Sequence, residues 1–205
     1  MSQYDAFASD FSQTRQKSWP EFDLLYPLVN KQDRICDLGC GNGRLRKFLE
    51  PELIPPGYYY GMDMSAGLLQ IAKGEFEKDH FFKGDFTKPL PFGADQFNIV
   101  TAVASFHHIL DKKKQEHFIN ECLRILRPGG TLFLTTWILP QKYKWSNYKA
   151  RRFKNWEVPF GPDKHPRTYR NVTQRELKKR LKKQFKEIQI HKFEGRNLVA
   201  IAKKK

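Results

Sequence analysis

Three carboxylates, Asp37, Asp63 and Asp85, each follow a short apolar run, and the first opens the segment Asp37-Leu38-Gly39-Cys40-Gly41-Asn42-Gly43. Glycines at alternate positions permit a tight turn and let a ligand approach the backbone closely, beside a helix N-terminus. Alone, such a loop serves a dinucleotide, a phosphate or mere packing. Asp37 narrows the choice, because a carboxylate pointing into the pocket repels phosphate and suits a cationic amino acid. Asp63 comes about one βα unit later, where an acidic residue can accept both hydroxyls of a ribose. Asp85, in Gly84-Asp85-Phe86, can accept from an adenine amino group while Phe86 offers an apolar wall, although any one of the three carboxylates could instead be a turn former or helix cap. The ligand so described is an adenosyl group on a cationic amino acid without phosphate, which is the make-up of S-adenosylmethionine.

Other side chains bear on a methyl acceptor. His107 and His108 can act as a general base or orient an acceptor near neutral pH; equally, one can cap the next helix and the other line the adenine side. Cys36 and Cys40 fall in the first strand and its loop, and Cys122 on a packed helix face, so a covalent cysteine nucleophile is not expected. Residues 104–108 read Ala-Ser-Phe-His-His, without the Asn/Asp-Pro-Pro-aromatic tetrad common in exocyclic amino methylation of bases.

These residues need a scaffold that brings strand ends together. Apolar runs of strand length alternate with amphipathic stretches, which predicts an α/β fold with a mainly parallel sheet. Expected strands are 33–38, 58–62, 80–83, 97–103 and 131–137. Expected helices are 44–50, 65–78 with Ser65 as N-cap, and 112–126 with Phe118, Ile119, Cys122, Leu123 and Leu126 on one face. Thr173 and Glu176 form a capping box for helix 174–184. The runs 187–193 and 197–202 close the chain as an antiparallel hairpin. Residues 1–30 read as a helical extension. Residues 138–172 read as a long basic and aromatic loop, of the kind that carries function.

At 205 residues the chain fits a single domain (1–205). No signal peptide or membrane-length apolar run is found, and three cysteines without ligand spacing suggest a reduced, cytoplasmic setting and no metal. The net charge of +15 is localised. Residues 1–140 hold 16 Lys and Arg against 17 Asp and Glu, and residues 141–205 hold 21 against 5. A neutral front and a basic back suggest a catalytic core joined to a surface for a polyanion, the plain alternative being a solvated face.

The segments ICDLGCGNGRL, YYGMDMS, KGDF, FNIVTAVASFHHI and LRILRPGGTLFLTTW resemble the ordered motifs of class I, Rossmann-like methyltransferases over roughly residues 30–137. The resemblance implies a seven-stranded, mostly parallel sheet with helices on both faces and a terminal antiparallel hairpin. It implies S-adenosylmethionine as cofactor, held by Tyr4, Arg15, Asp37, Gly39, Cys40, Gly41, Asn42, Asp63, Met64, Asp85, Phe86 and Ala104. Ala104 and Ser105 then lie near the methyl group.

Phe11-Ser12-Gln13-Thr14-Arg15 followed by Trp19-Pro20 is similar to the N-terminal signature of tRNA wobble-uridine carboxymethyl methyltransferases. His107-His108, Trp137, Val158-Pro159 and Arg167-x-Tyr169 also resemble that family, whereas Thr168, Arg170, Val172 and Arg175 depart from its pattern. This second resemblance implies methylation of a carboxymethyl group on the tRNA anticodon loop, and a small zinc-binding activator subunit as a further partner. A carboxylate nucleophile is already ionised at neutral pH and needs a cationic holder rather than a base. Arg15 is read as that holder or as the partner of the cofactor's own carboxylate, with Arg167 and Arg170 as alternatives. Lys142, Lys144, Tyr148, Arg151, Arg152, Trp156, Arg170, Lys178 and Lys182 are the expected RNA contacts, cations for phosphates and aromatics for unpaired bases. Competing readings are a methyltransferase for a small acidic metabolite and a non-catalytic RNA-binding protein on the same scaffold.

Overall fold

The computed structural model describes residues 4–15, 17–49, 52–138, 149–151, 155–161, 163–193 and 197–205. Strands β1 (Ile35–Leu38), β2 (Tyr59–Asp63), β3 (His80–Lys83), β4 (Phe97–Ala102) and β5 (Leu126–Trp137) alternate with helices α2 (Arg44–Phe48), α3 (Ala66–Glu75) and α4 (Lys112–Ile125), after an N-terminal α1 (Ala8–Gln13). The small strands β6 (Lys149–Arg151), β7 (Asn155–Phe160) and β8 (His165–Arg170) come next, followed by α5 (Gln174–Leu181) and the closing strands β9 (Phe185–Phe193) and β10 (Asn197–Lys204). The main sheet has seven strands in the order β3-β2-β1-β4-β5-β10-β9. β1 to β5 pair in parallel, while β10 runs antiparallel to both β5 and β9.

Every residue of β1 is buried, as the continuous apolar run requires of a central strand covered on both faces. Successive side chains point to opposite faces. Cys36, Val100 and Leu132 join one core with Phe118, Cys122 and Ile125 of α4 and Leu177 and Leu181 of α5. Ile35, Ile99 and Phe133 join the other with Leu45 of α2, Leu69 of α3, and Phe22 and Leu25 of the N-terminal segment. Helices therefore cover both faces. Ser65 caps α3 by accepting from the Leu68 N–H, and Thr173 and Glu176 form the expected capping box of α5.

Three expectations are corrected. The N-terminal extension is mostly 3-10 turns (Asp5–Phe7, Pro20–Leu24, Tyr26–Leu28), with α1 its single α-helix among the described residues. Tertiary contacts hold it: Asn42 Nδ2 donates to Ser12 Oγ at 2.8 Å and Ser65 Oγ to Asp5 Oδ1 at 2.7 Å. Strand five begins at Leu126, which pairs with Phe97, so Arg127–Gly130 becomes part of the strand across a register shift. The presumed loop 138–172 forms, in its described part, a three-stranded antiparallel sheet. Its cross-strand pairs, such as Trp156 with Tyr169, carry the alternation that basic and aromatic composition conceals.

Candidate active site

The carboxyl ends of β1, β2, β4 and β5 open onto one cavity of about 340 Å³, a size usual for small-molecule sites. Parallel pairing places Asp37 of β1 opposite Thr101 of β4. Thr101 Oγ1 donates to Asp37 Oδ1 at 2.7 Å, and the Tyr59 hydroxyl to Oδ2 at 2.5 Å. Burial pushes the Asp37 carboxyl up to about 6, against the pull of those two hydrogen bonds. Among the described residues its donors are these two neutral hydroxyls and no cation lies in hydrogen-bond reach, so this buried carboxylate suits a cationic ligand group.

Asp63 ends β2. Its Oδ2 accepts from the Gly41 N–H at 2.9 Å and its Oδ1 from the Ser65 N–H at 2.8 Å. It thereby ties the glycine loop to the head of α3. Burial raises this carboxyl too, opposed by those backbone donors. Gly39 has φ +85°, and a Cβ there would lie 2.4 Å from the Ser105 Cβ. Ser105 cannot withdraw easily, because its Oγ donates to the Leu38 carbonyl at 2.7 Å. Ala104 itself sits at φ +49°, with its N–H donating to Thr135 Oγ1 at 2.8 Å. A strained residue at the mouth of the β1–β4 cleft is the kind that binding sites retain.

Of the expected cofactor residues, Tyr4, Arg15, Asp37, Gly39, Cys40, Gly41, Asn42, Asp63, Met64, Phe86 and Ala104 all line this cavity. Asp85 does not; its Oδ1 accepts from the Thr87 N–H at 2.8 Å and shapes the turn after β3. The residues present fit S-adenosylmethionine: Asp37 would take the ammonium, Asp63 the ribose, Phe86 the adenine face, and glycine backbone the close approach.

The other half of the cavity is aromatic and cationic. The 3-10 turn Phe106–His108 follows β4 and brings both histidines in. The Trp137 N–H donates to His107 Nδ1 at 3.3 Å, and the Tyr4 hydroxyl lies 3.0 Å from His108 Nε2. The His107 ring stacks on Trp137 at 5.2 Å, and Tyr169 of β8 lies within 5.0 Å of His107, His108 and Trp137. Burial lowers both imidazoles, His107 well below its ordinary value and His108 to about 4, with Arg167 adding to the effect. Both are therefore neutral at physiological pH. Arg167 is only 5% exposed, its Nε has no hydrogen-bond partner among the described residues, and its guanidinium carbon stands 4.8 Å from the Phe160 centroid.

The expected RNA contacts scatter. Lys178 and Lys182 are exposed on α5 and just beyond it. Trp156 is half-buried in β7, whereas Arg170 is buried, directed to the Leu110 carbonyl at 3.4 Å and to Glu176 at 4.0 Å. Lys142, Lys144, Tyr148 and Arg152 lie outside the described residues, as does the side chain of Arg151. The three cysteines are free and buried, and burial pushes their thiols well up, which argues against a thiolate nucleophile. Among the described residues no helix is long and apolar enough to cross a membrane.

Sequence reasoning missed Arg44, Thr101 and Tyr59. Arg44 carried a readable signal, a cation at the first position of a helix where the macrodipole disfavours one. Thr101 and Tyr59 became relevant only through strand register.

Residues 36–134 match the family model described as a methyltransferase domain. A tRNA (carboxymethyluridine(34)-5-O)-methyltransferase of Arabidopsis thaliana is 29% identical over 173 residues, 82% of this chain and 41% of that one. The Saccharomyces cerevisiae protein of the same name is 31% identical over 138 residues, 67% of this chain and 47% of that one. The chain thus spans less than half the length of either relative. Among solved structures, the PH0226 protein from Pyrococcus horikoshii superposes with a TM-score of 0.77 at 18% identity, covering 100% of this chain and 97% of its own. A Haloferax volcanii complex between the Trm112 methyltransferase activator and a putative methyltransferase gives 0.69 at 19% identity, covering 100% and 98%. Fold, site and family model agree that residues 36–134 are a methyltransferase domain of the Rossmann-like class, with S-adenosylmethionine as its cofactor.

Proposed function

We propose that this chain methylates the carboxymethyl group of a tRNA wobble uridine, turning a carboxylate into its ester. The observation that carries the reading is the pair Arg15 and Arg167, two guanidiniums on the Phe160 ring that line the same cavity as Asp37. Guanidinium matches carboxylate geometry, and the neighbouring wall of Tyr4, His107, His108, Trp137 and Tyr169 suits a planar base. The names of the Arabidopsis and yeast relatives point the same way.

The cofactor, when bound, supplies an electrophilic methyl on a sulfonium. Asp37 and Asp63 would hold it there, and an acceptor carboxylate oxygen held by Arg15 and Arg167 would take that methyl, the electron pair of the S–CH3 bond staying with sulfur. No proton moves. The chain's own work is positioning: the arginines fix the carboxylate and the aromatic wall fixes the base. Neutral His107 and His108 fit this scheme as hydrogen-bonding and stacking groups rather than as bases.

Residues 1–205 act as one domain in this reading, with 138–172 as an acceptor-side insertion. The basic last third, Lys178 and Lys182 included, meets tRNA phosphates, and a small activator subunit is the further partner suggested by the Haloferax complex. Incubation with methyl-labelled cofactor and bulk tRNA, alone and with a Trm112-type activator, tests the proposal. An alkali-labile label on a wobble uridine is expected. Alkali-stable label on a nucleobase, or label on small acids only, would overturn it.

A further inference from the structure

Three guanidiniums reach the cavity, Arg15, Arg44 and Arg167. Among the described residues none of the three has a carboxylate within ion-pair distance. They divide into two places. Arg15 and Arg167 share the Phe160 ring, their guanidinium carbons 5.9 and 4.8 Å from its centroid, and Arg167 also lies 5.3 Å from the Tyr169 ring. Arg44 sits on a different ring, its guanidinium 3.8 Å over Trp19, and it follows directly the loop that Asp37 opens.

The electrostatics tie Arg44 both to Asp37 and to Arg15. Burial and Arg15 push Arg44 down to about 10, while Asp37 and Glu21 pull it back up. Burial and then Arg167 lower Arg15, while Tyr4 and Tyr169 pull it back up. Asp37 in turn feels Arg44.

The amino-acid end of S-adenosylmethionine carries its ammonium and its carboxylate on one carbon. With the ammonium on Asp37, the cation that takes the carboxylate must neighbour Asp37. We propose that Arg44, stacked on Trp19, binds the cofactor's carboxylate, and that the Arg15–Arg167 pair is thereby left to the carboxylate of the methyl acceptor. The second half rests on the acceptor reading above; the first half stands without it. The pair also distinguishes substrate from product. Two cations attract an anionic acceptor, and esterification removes the charge they hold, so the product is released from the same arginines that bound the substrate.

Calorimetric binding of S-adenosylmethionine and of its decarboxylated analogue to the full chain tests this without any acceptor. The wild-type protein should prefer the carboxylated ligand. In Arg44→Gln that ligand should weaken about tenfold to a hundredfold, the range for a hydrogen bond to a charged group. Affinity for the analogue should stay unchanged, which also shows that the variant is folded. Arg44→Lys should recover part of the preference. Arg15→Gln and Arg167→Gln should bind both ligands as the wild type does. Equal binding of the two ligands by the wild type would overturn the proposal, as would an equal loss of both in R44Q, or a loss of preference in R15Q or R167Q. Absence of label on tRNA would sink the acceptor reading and leave the Arg44 result standing.

Discussion

Asp37 concentrates the chemistry of the site in one titration. Its carboxyl is pushed up to about 6 by burial, from an ordinary 3.8. An acid raised in the fold stabilises it fully below its unfolded value, and that contribution is lost as pH rises through the folded value. Relative to Asp37→Asn, the wild-type protein without ligand should therefore lose stability between about pH 4 and 6 and level off above, as read by thermal denaturation. Cofactor binding runs the other way, since an ammonium needs the carboxylate ionised. Affinity for S-adenosylmethionine should rise from pH 5 to 7 and then flatten, and D37N should bind weakly with no such rise. A wild-type affinity that is flat over that range would show that Asp37 does not meet the ammonium.

At the scale of elements, α5 gives a separable test. Leu177 and Leu181 pack into the core beneath the sheet, and the capping box of Thr173 and Glu176 fixes where the helix starts. Thr173→Ala should cost about 1 kcal/mol, a fall in Tm of roughly 2–4 °C for a domain of this size, with cofactor affinity unchanged. A larger loss, or one that reaches the cofactor, would mean the helix supports the site directly. Such caps were legible because they are local: Ser65 and Thr173 announce themselves within three residues. So was the central sheet, whose apolar runs leave little choice of partner. What sequence could not show was register and long-range approach. Asp37 was recognised, but its donors Thr101 and Tyr59 depend on which residues face each other across β4 and β2. Asp85 has the expected position in the strand rhythm, but one of its oxygens accepts from the Thr87 N–H and it is not among the residues that line the cavity. Strands β7 and β8 were hidden for another reason, since a half-exposed sheet rich in Arg, His and Pro lacks the contrast that alternation needs.

The whole molecule is electrically two-sided, with its positive excess confined to residues 141–205, and that asymmetry is itself a prediction. If the basic part meets tRNA, its lysines displace condensed counterions from phosphates, and the logarithm of affinity falls linearly with the logarithm of salt. Lys178 and Lys182 are exposed and far from the cofactor loop in sequence, so they report on phosphate binding without touching the chemistry. The double variant Lys178→Gln, Lys182→Gln should weaken tRNA binding and flatten the salt slope by about one for each phosphate no longer neutralised. Cofactor affinity should be indifferent to both salt and variant, because Asp37 is buried from the ionic atmosphere. Filter binding of tRNA from low to moderate salt, beside calorimetry of the cofactor, measures the two slopes. If the tRNA slope is as steep in the double variant as in the wild type, α5 is a solvated face and the polyanion is gripped elsewhere. If wild-type affinity hardly responds to salt, the charge asymmetry serves something other than a nucleic acid, and a small acidic acceptor becomes the better account of the Arg15–Arg167 pair.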